Sequence, residues 1–127
     1  MTSTDNPIAI VTGASRGIGK ATALALADAG FDLVLAARTV KTGDEHVDMV
    51  RNSDGSSLPG SLEETRDEVV AKGCRARLQR LDLLEAPTID ALVDDTLAEW
   101  GRIDVLVNNA IYQGPGLMEL FGDLTVE

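Results

Sequence analysis

One stretch restricts the fold of this chain more than any other. It is Thr12-Gly13-Ala14-Ser15-Arg16-Gly17-Ile18-Gly19, set between an apolar run and an alanine-rich segment. Before it, Ile8-Ala9-Ile10-Val11 is short, wholly apolar and rich in branched residues, the pattern of a strand buried on both faces. After it, residues 17–29 carry Ala21, Ala23, Ala25, Ala27 and Ala29, whose small side chains let a helix lie close on a sheet. Gly30 stands where a helix stop is expected. Gly13 permits a tight turn off the strand, Gly17 clears side chain from the bend, and Gly19 lets the helix begin hard against the sheet. A strand, a glycine-spaced bend and a helix in that order predict the first unit of a parallel α/β sheet.

The rest of the chain repeats the alternation. Leu33-Val-Leu-Ala-Ala37 is a second buried strand. Residues 39–60 break the rhythm as a polar insertion, with Thr42-Gly43-Asp44-Glu45-His46 and Asn52-Ser-Asp-Gly-Ser-Ser57 as turn-rich tracts. Pro59-Gly60-Ser61 opens the next helix, where Ser61 and Glu64 have capping-box spacing, and Gly73 closes it after Lys72. Arg75 to Leu81 reads as a third strand with one wetter face. Ile89, Leu92, Val93, Leu97 and Trp100 then fall on one helical stripe, expected to be core. Ile103 to Val107 is a fourth strand, with Asn108-Asn109-Ala110 at its carboxyl end. Right-handed crossovers turn this order into a doubly wound parallel sheet with strand order 3-2-1-4, the first half of the full fold.

Composition removes several functions. Of 127 residues, 21 are acidic and 11 basic, a net charge of −10 that repels nucleic-acid backbones and anionic lipid. No apolar run approaches the ~18 residues of a membrane span, and the N-terminus lacks the basic and apolar regions of a secretory signal. A cytoplasmic protein is expected. The lone Cys74 reads as a small half-buried residue rather than a reactive thiol, and the lone His46 as a solvated side chain rather than a metal ligand.

Ligands of such sheets sit beyond the carboxyl ends of the strands. Residues 12–19, 37–41 and 108–112 lie there, and so does Asp82. The helix after the glycine bend offers unpaired N–H groups and a partial positive charge to phosphate. A Walker-type loop is excluded, because Ala14 stands where its first glycine belongs and Ala21 where Ser or Thr should follow Gly19-Lys20. A methyltransferase would end strand two in an acid, but Ala36-Ala37 occupy that place. The same absence removes the carboxylate that accepts the adenosine 2′-OH in NAD sites. Arg38 follows instead, and a guanidinium suits a 2′-phosphate. Arg16 points to the same phosphate, with Lys20 and Lys41 near it in sequence. NADP is expected over NAD.

With Asp82-Leu83 after strand three and Asn108-Asn109-Ala110 after strand four, the chain resembles the short-chain dehydrogenase/reductase family. The resemblance covers all but the 39–60 insertion. It implies that Gly13, Ala14, Ser15, Arg16, Gly17, Ile18 and Gly19 line pyrophosphate and ribose, and that Arg38 takes the 2′-phosphate. It further implies that Asp82 accepts from the adenine amino group beside Leu83, and that Asn109 and Ala110 face the adenine ribose while Asn108 braces the central strands. Ile111 departs from the family's glycine after Asn-Asn-Ala.

The family's catalysis, hydride exchange between nicotinamide and a carbonyl or alcohol, uses a Ser on the fifth strand and a Tyr-x-x-x-Lys helix. Those positions are expected beyond Glu127. Tyr112 has Gly116, not Lys, four residues on, so no catalytic residue and no metal ligand is assigned. The chain is expected to be a truncated, adenosine-side portion of such an oxidoreductase with a small-molecule substrate; the alternative is a non-catalytic dinucleotide-binding module. Strand 103–107 is expected to expose an apolar edge open to self-association.

Overall fold

A computed structural model describes residues 6–41, 53, 54, 56 and 59–111. His46, Tyr112 and much of the polar insertion lie outside these residues. The described chain runs β1 (Ile8–Thr12), α1 (Gly17–Asp28), β2 (Asp32–Ala37), α2 (Leu62–Ala71), β3 (Ala76–Arg80), α3 (Ala86–Trp100) and β4 (Val105–Val107). The four strands are parallel, in the expected order β3-β2-β1-β4.

Every residue of β1 and β2 is buried, because helices cover both faces of the sheet. The pleat divides the strands between two cores. Ala9, Val11, Leu33 and Leu35 meet Ala23 and Ala27 of α1 and Leu62 and Val69 of α2. Ile8, Ile10, Val34 and Ala36 point the other way, toward Leu81 just after β3 and Leu92 of α3. Each fully buried Ile or Leu here is worth about 1.5–3 kcal/mol over an exposed one. On α1 the buried positions are Gly19, Ala23 and Ala27, one every four residues, so the closest helix–sheet contact is made by its smallest side chains.

Two expectations need correction. The α3 stripe is not all core: Leu92 is buried, whereas Ile89, Val93 and Leu97 are 40–45% exposed. Period alone places these residues on one face, but the described sheet is only wide enough to cover part of it. Trp100 is partly buried against the same core, and its ring carries the Arg75 guanidinium 4.5 Å from its centroid.

The fourth strand is shorter than 103–107, because the Asp104 carboxylate, rather than a strand carbonyl, accepts the Ile8 N–H at 2.8 Å. Arg102 holds that carboxylate with two bonds, and these bonds, led by Arg102's, keep the Asp104 carboxyl below the usual carboxylate range. Its amino-end counterpart is Asp32, fully buried and bonded by the Arg75 Nε at 2.8 Å, the Arg75 N–H at 2.9 Å and Asn6. Cys74 donates its thiol to the Ala27 carbonyl, and burial pushes that thiol up from its ordinary value, so it is a poor nucleophile at neutral pH. Among the described residues, no helix is long and apolar enough to cross a membrane.

Candidate nucleotide-binding site

The carboxyl ends of β1, β2, β3 and β4 converge on an open cleft of about 270 Å³. Gly13, Ser15, Arg16 and Ile18 come to it from the glycine bend, Arg38 from the end of β2, Asp82 and Leu83 from the end of β3, and Asn109 and Ala110 from the end of β4. Segments separated by about 20 to 97 positions in sequence thus meet because parallel strands deliver their carboxyl ends to one edge.

The glycine bend is shaped by backbone. Gly13 and Gly17 have φ of 69° and 59°, a region that disfavours side chains. The Gly13 and Ala14 N–H groups both donate to the Ala36 carbonyl, at 2.7 and 3.2 Å, which turns the chain back over β2. A Cβ on Gly19 would stand 2.0 Å from the Gly13 carbonyl oxygen and 2.7 Å from the Asn109 amide nitrogen. Gly19 is therefore a packing glycine, and Ala14, wholly buried, is a structural residue of the bend. Neither lines the cleft, nor does Gly17, although all three were expected to line the pyrophosphate. At Gly17 an added Cβ would meet open space.

Arg16 is the N-cap of α1, with extended backbone and no side-chain cap bond. The first-turn N–H groups, which helix geometry cannot pair, are thus left without a side-chain cap. Lys20 does not join this end. It pairs with Glu68 of α2 at 2.7 Å, and neither it nor Lys41 lines the cleft, so the basic cluster is narrower than the sequence implies.

The bracing role expected of Asn108 falls to its neighbour. Asn109, not Asn108, joins the strand ends: its amide donates to the Thr12 carbonyl at 3.2 Å and the Gly13 carbonyl at 3.5 Å. Thr12 is the unforeseen hub. Its hydroxyl donates to the Val107 carbonyl at 3.1 Å and accepts the N–H groups of Asn109 and Ala110 at 3.0 Å. Thr ending β1 and Asn-Asn-Ala ending β4 are adjacent only because β4 pairs with β1, which the sequence shows only through topology.

Asp82 holds its own loop, accepting from the Leu84 N–H at 3.0 Å, and lies 3.7 Å from Arg80. That guanidinium is held above its ordinary value, chiefly by its hydrogen bond to Glu85. Leu83, Leu84, Ile18 and Ile111 give the cleft an exposed apolar rim. Thr39, buried at 8% exposure, also lines it. Sequence places it at the start of the polar insertion, since its hydroxyl side chain carries no hydrophobic signal, yet its carbonyl accepts the Leu62 N–H at 2.9 Å.

Parallel sheet, glycine bend and strand-end cleft together define a doubly wound α/β protein. Comparison with known proteins narrows the class. The short chain dehydrogenase family matches residues 7–59. The chain is 38% identical over 110 residues to the 3-oxoacyl-(acyl-carrier-protein) reductase of Synechocystis sp., covering 87% of this chain and 37% of the reductase. It aligns with a metagenomic short-chain oxidoreductase in complex with NADP at a TM-score of 0.63 and 38% identity, covering 82% of this chain and 38% of that one. It aligns equally with carveol dehydrogenase from Mycobacterium avium in complex with NAD, at a TM-score of 0.63 and 26% identity, covering 82% and 35%. The chain belongs to the short-chain dehydrogenase/reductase family and matches the N-terminal portion of its members. It spans little more than a third of the length of that Synechocystis relative.

Proposed function

We propose that these residues form the adenosine-side half of the cofactor site of an NADP-dependent oxidoreductase acting on a small carbonyl or alcohol. One observation carries the preference for NADP: Arg16 and Arg38 line the same cleft, and β2 ends in Ala37 where an acid would select NAD. The residues fit the group. The uncapped end of α1 is suited to pyrophosphate, and Gly13 and Ser15 of the bend line the cleft beside it. Arg38 and Arg16 supply bidentate donors to a 2′-phosphate. Asp82 and the Leu83 backbone take adenine, and Ala110 with the Asn109 backbone takes the ribose. Bound there, the cofactor supplies hydride through its nicotinamide; these residues bind and orient its other end.

The test is binding of two small probes that differ by one phosphate. Adenosine 2′,5′-bisphosphate is expected to bind the chain at least about tenfold tighter than AMP, the effect of one or two charge-assisted bonds. Equal affinities would refute the NADP assignment. Because the nicotinamide side is not among these residues, the bisphosphate should also bind about as well as NADP, both near the millimolar range. Full-strength micromolar binding of NADPH would refute that.

We further propose that β4, the last strand in the described sheet, pairs its edge with a second copy. Leu106 is 52% exposed on this edge strand. Light scattering should show concentration-dependent growth in mass. A monodisperse monomer at high concentration would count against it.

A further inference from the structure

The two loops that carry Arg16 and Arg38 do not touch α2 by chance of packing; α2 holds both. Its first two N–H groups, Leu62 and Glu63, donate to the Thr39 and Val40 carbonyls at 2.9 and 3.1 Å, just past Arg38. One turn on, the buried Thr65 hydroxyl donates to the Ala14 carbonyl at 2.8 Å, two residues before Arg16. Immediately before the helix, Gly60 lies flat against the same bend. Its φ is 126°, and a Cβ there would stand 2.4 Å from the Ser15 carbonyl oxygen and 2.8 Å from the Arg16 Cβ. The helix cannot slide to relieve these contacts, because Leu62 and Val69 are fully buried in the core.

We propose that the amino-terminal end of α2 is a clasp that sets the spacing of the two guanidinium groups, and that Gly60 and Thr65 are positioning residues for recognition of the 2′-phosphate. The inference rests on the NADP reading above. Two long side chains on separate loops bind one phosphate well only if their Cα positions are held, since each loop's freedom otherwise weakens both sets of bonds. Gly60 fixes how closely α2 approaches Arg16. Thr65 anchors the peptide before Arg16, while the helix end anchors the peptide after Arg38. Neither residue lines the cleft, so both act through the arginines.

The test measures binding of adenosine 2′,5′-bisphosphate and of AMP by calorimetry or ligand-observed NMR, on the full chain and three variants. Thr65→Val keeps shape and removes the bond to Ala14; Thr65→Ser keeps the hydroxyl; Gly60→Ala adds the obstructing methyl. The expected result is that Thr65→Val and Gly60→Ala lower the ratio of the two affinities by about tenfold, with AMP binding changed much less. Thr65→Ser should restore most of the ratio. A helix that merely stabilises the fold would lower the melting temperature and leave the ratio intact; an unchanged ratio in folded Thr65→Val overturns the proposal. If Gly60→Ala does not fold, the Thr65 pair decides alone. A wild-type chain that does not distinguish the probes overturns the NADP reading, and the clasp with it. Wild-type preference surviving in folded variants overturns the clasp only.

Discussion

The amino-terminal ends of α1 and α2 lie side by side and are finished in opposite ways. At α2, Ser61 accepts the Glu64 N–H at 3.2 Å, and the Glu64 carboxylate accepts the Ser61 N–H at 3.1 Å. The Leu62 and Glu63 N–H groups go to Thr39 and Val40. Its donors are thus paired within the fold, and Glu63 and Glu64 answer the positive end of its dipole. At α1 the N-cap is Arg16, no side-chain cap is made and no acid stands in the first turn. The same backbone device is therefore closed by a capping box in one helix and carries no side-chain cap in the other. A helix end lacking both cap and first-turn acid gives up roughly 1 kcal/mol of local stability, which an anionic ligand can restore.

Substitutions at five positions test that contrast. Gly19→Ala should act most strongly, because its methyl would run into the Gly13 carbonyl and the Asn109 amide. A loss of about 3 kcal/mol, seen in chemical denaturation, is expected from overpacking at a backbone contact. A normal stability would mean that the approach of α1 to the bend is looser than described.

Arg38→Ala should weaken adenosine 2′,5′-bisphosphate about ten- to a hundredfold and leave AMP nearly unchanged, the loss of charged hydrogen bonds to one phosphate. Equal loss for both probes would assign Arg38 a general electrostatic role.

The caps come next. Ser61→Ala should lower stability by about 1 kcal/mol. Arg16→Ser, which installs a cap on α1, should be more stable than Arg16→Ala by a similar amount. If the two Arg16 variants melt together, the α1 donors are already paired and the contrast fails.

Asp104→Asn should have the smallest effect. Its carboxyl is held below the usual range, chiefly by Arg102, so its contribution is complete above the ordinary carboxylate pKa and drains as pH falls through the lowered folded-state value. The variant should therefore be slightly less stable at pH 7 and should converge on the parent in acid. A gap that widens with acidification would contradict the sign.

Much of the site was legible residue by residue. Gly13, Ser15, Arg16, Ile18, Arg38, Asp82, Leu83, Asn109 and Ala110 do line one cleft, because strand ends, glycine spacing and the missing acid at Ala37 are local patterns. What escaped were residues whose partners are distant in sequence. Thr12 opens the glycine motif, but nothing local reveals that its hydroxyl ties the carboxyl end of β1 to that of β4. Thr65 reads as an ordinary helix residue, and Gly60 as the end of a polar insertion. The stripe from Ile89 to Trp100 was read as core because periodicity reports which residues share a face, while burial depends on what lies opposite.

Local chemistry thus settled the elements, their order and the character of the bend. Apolar runs demand two-sided burial, positive φ demands glycine, and parallel crossovers have one hand. Only the folded chain decided which helix end stays uncapped toward the cleft, which asparagine joins the strands, and that α2 grips the two arginine-bearing loops. Those outcomes depend on hydrogen bonds and steric contacts between segments tens of residues apart, whose geometry exists only once the sheet has brought them together.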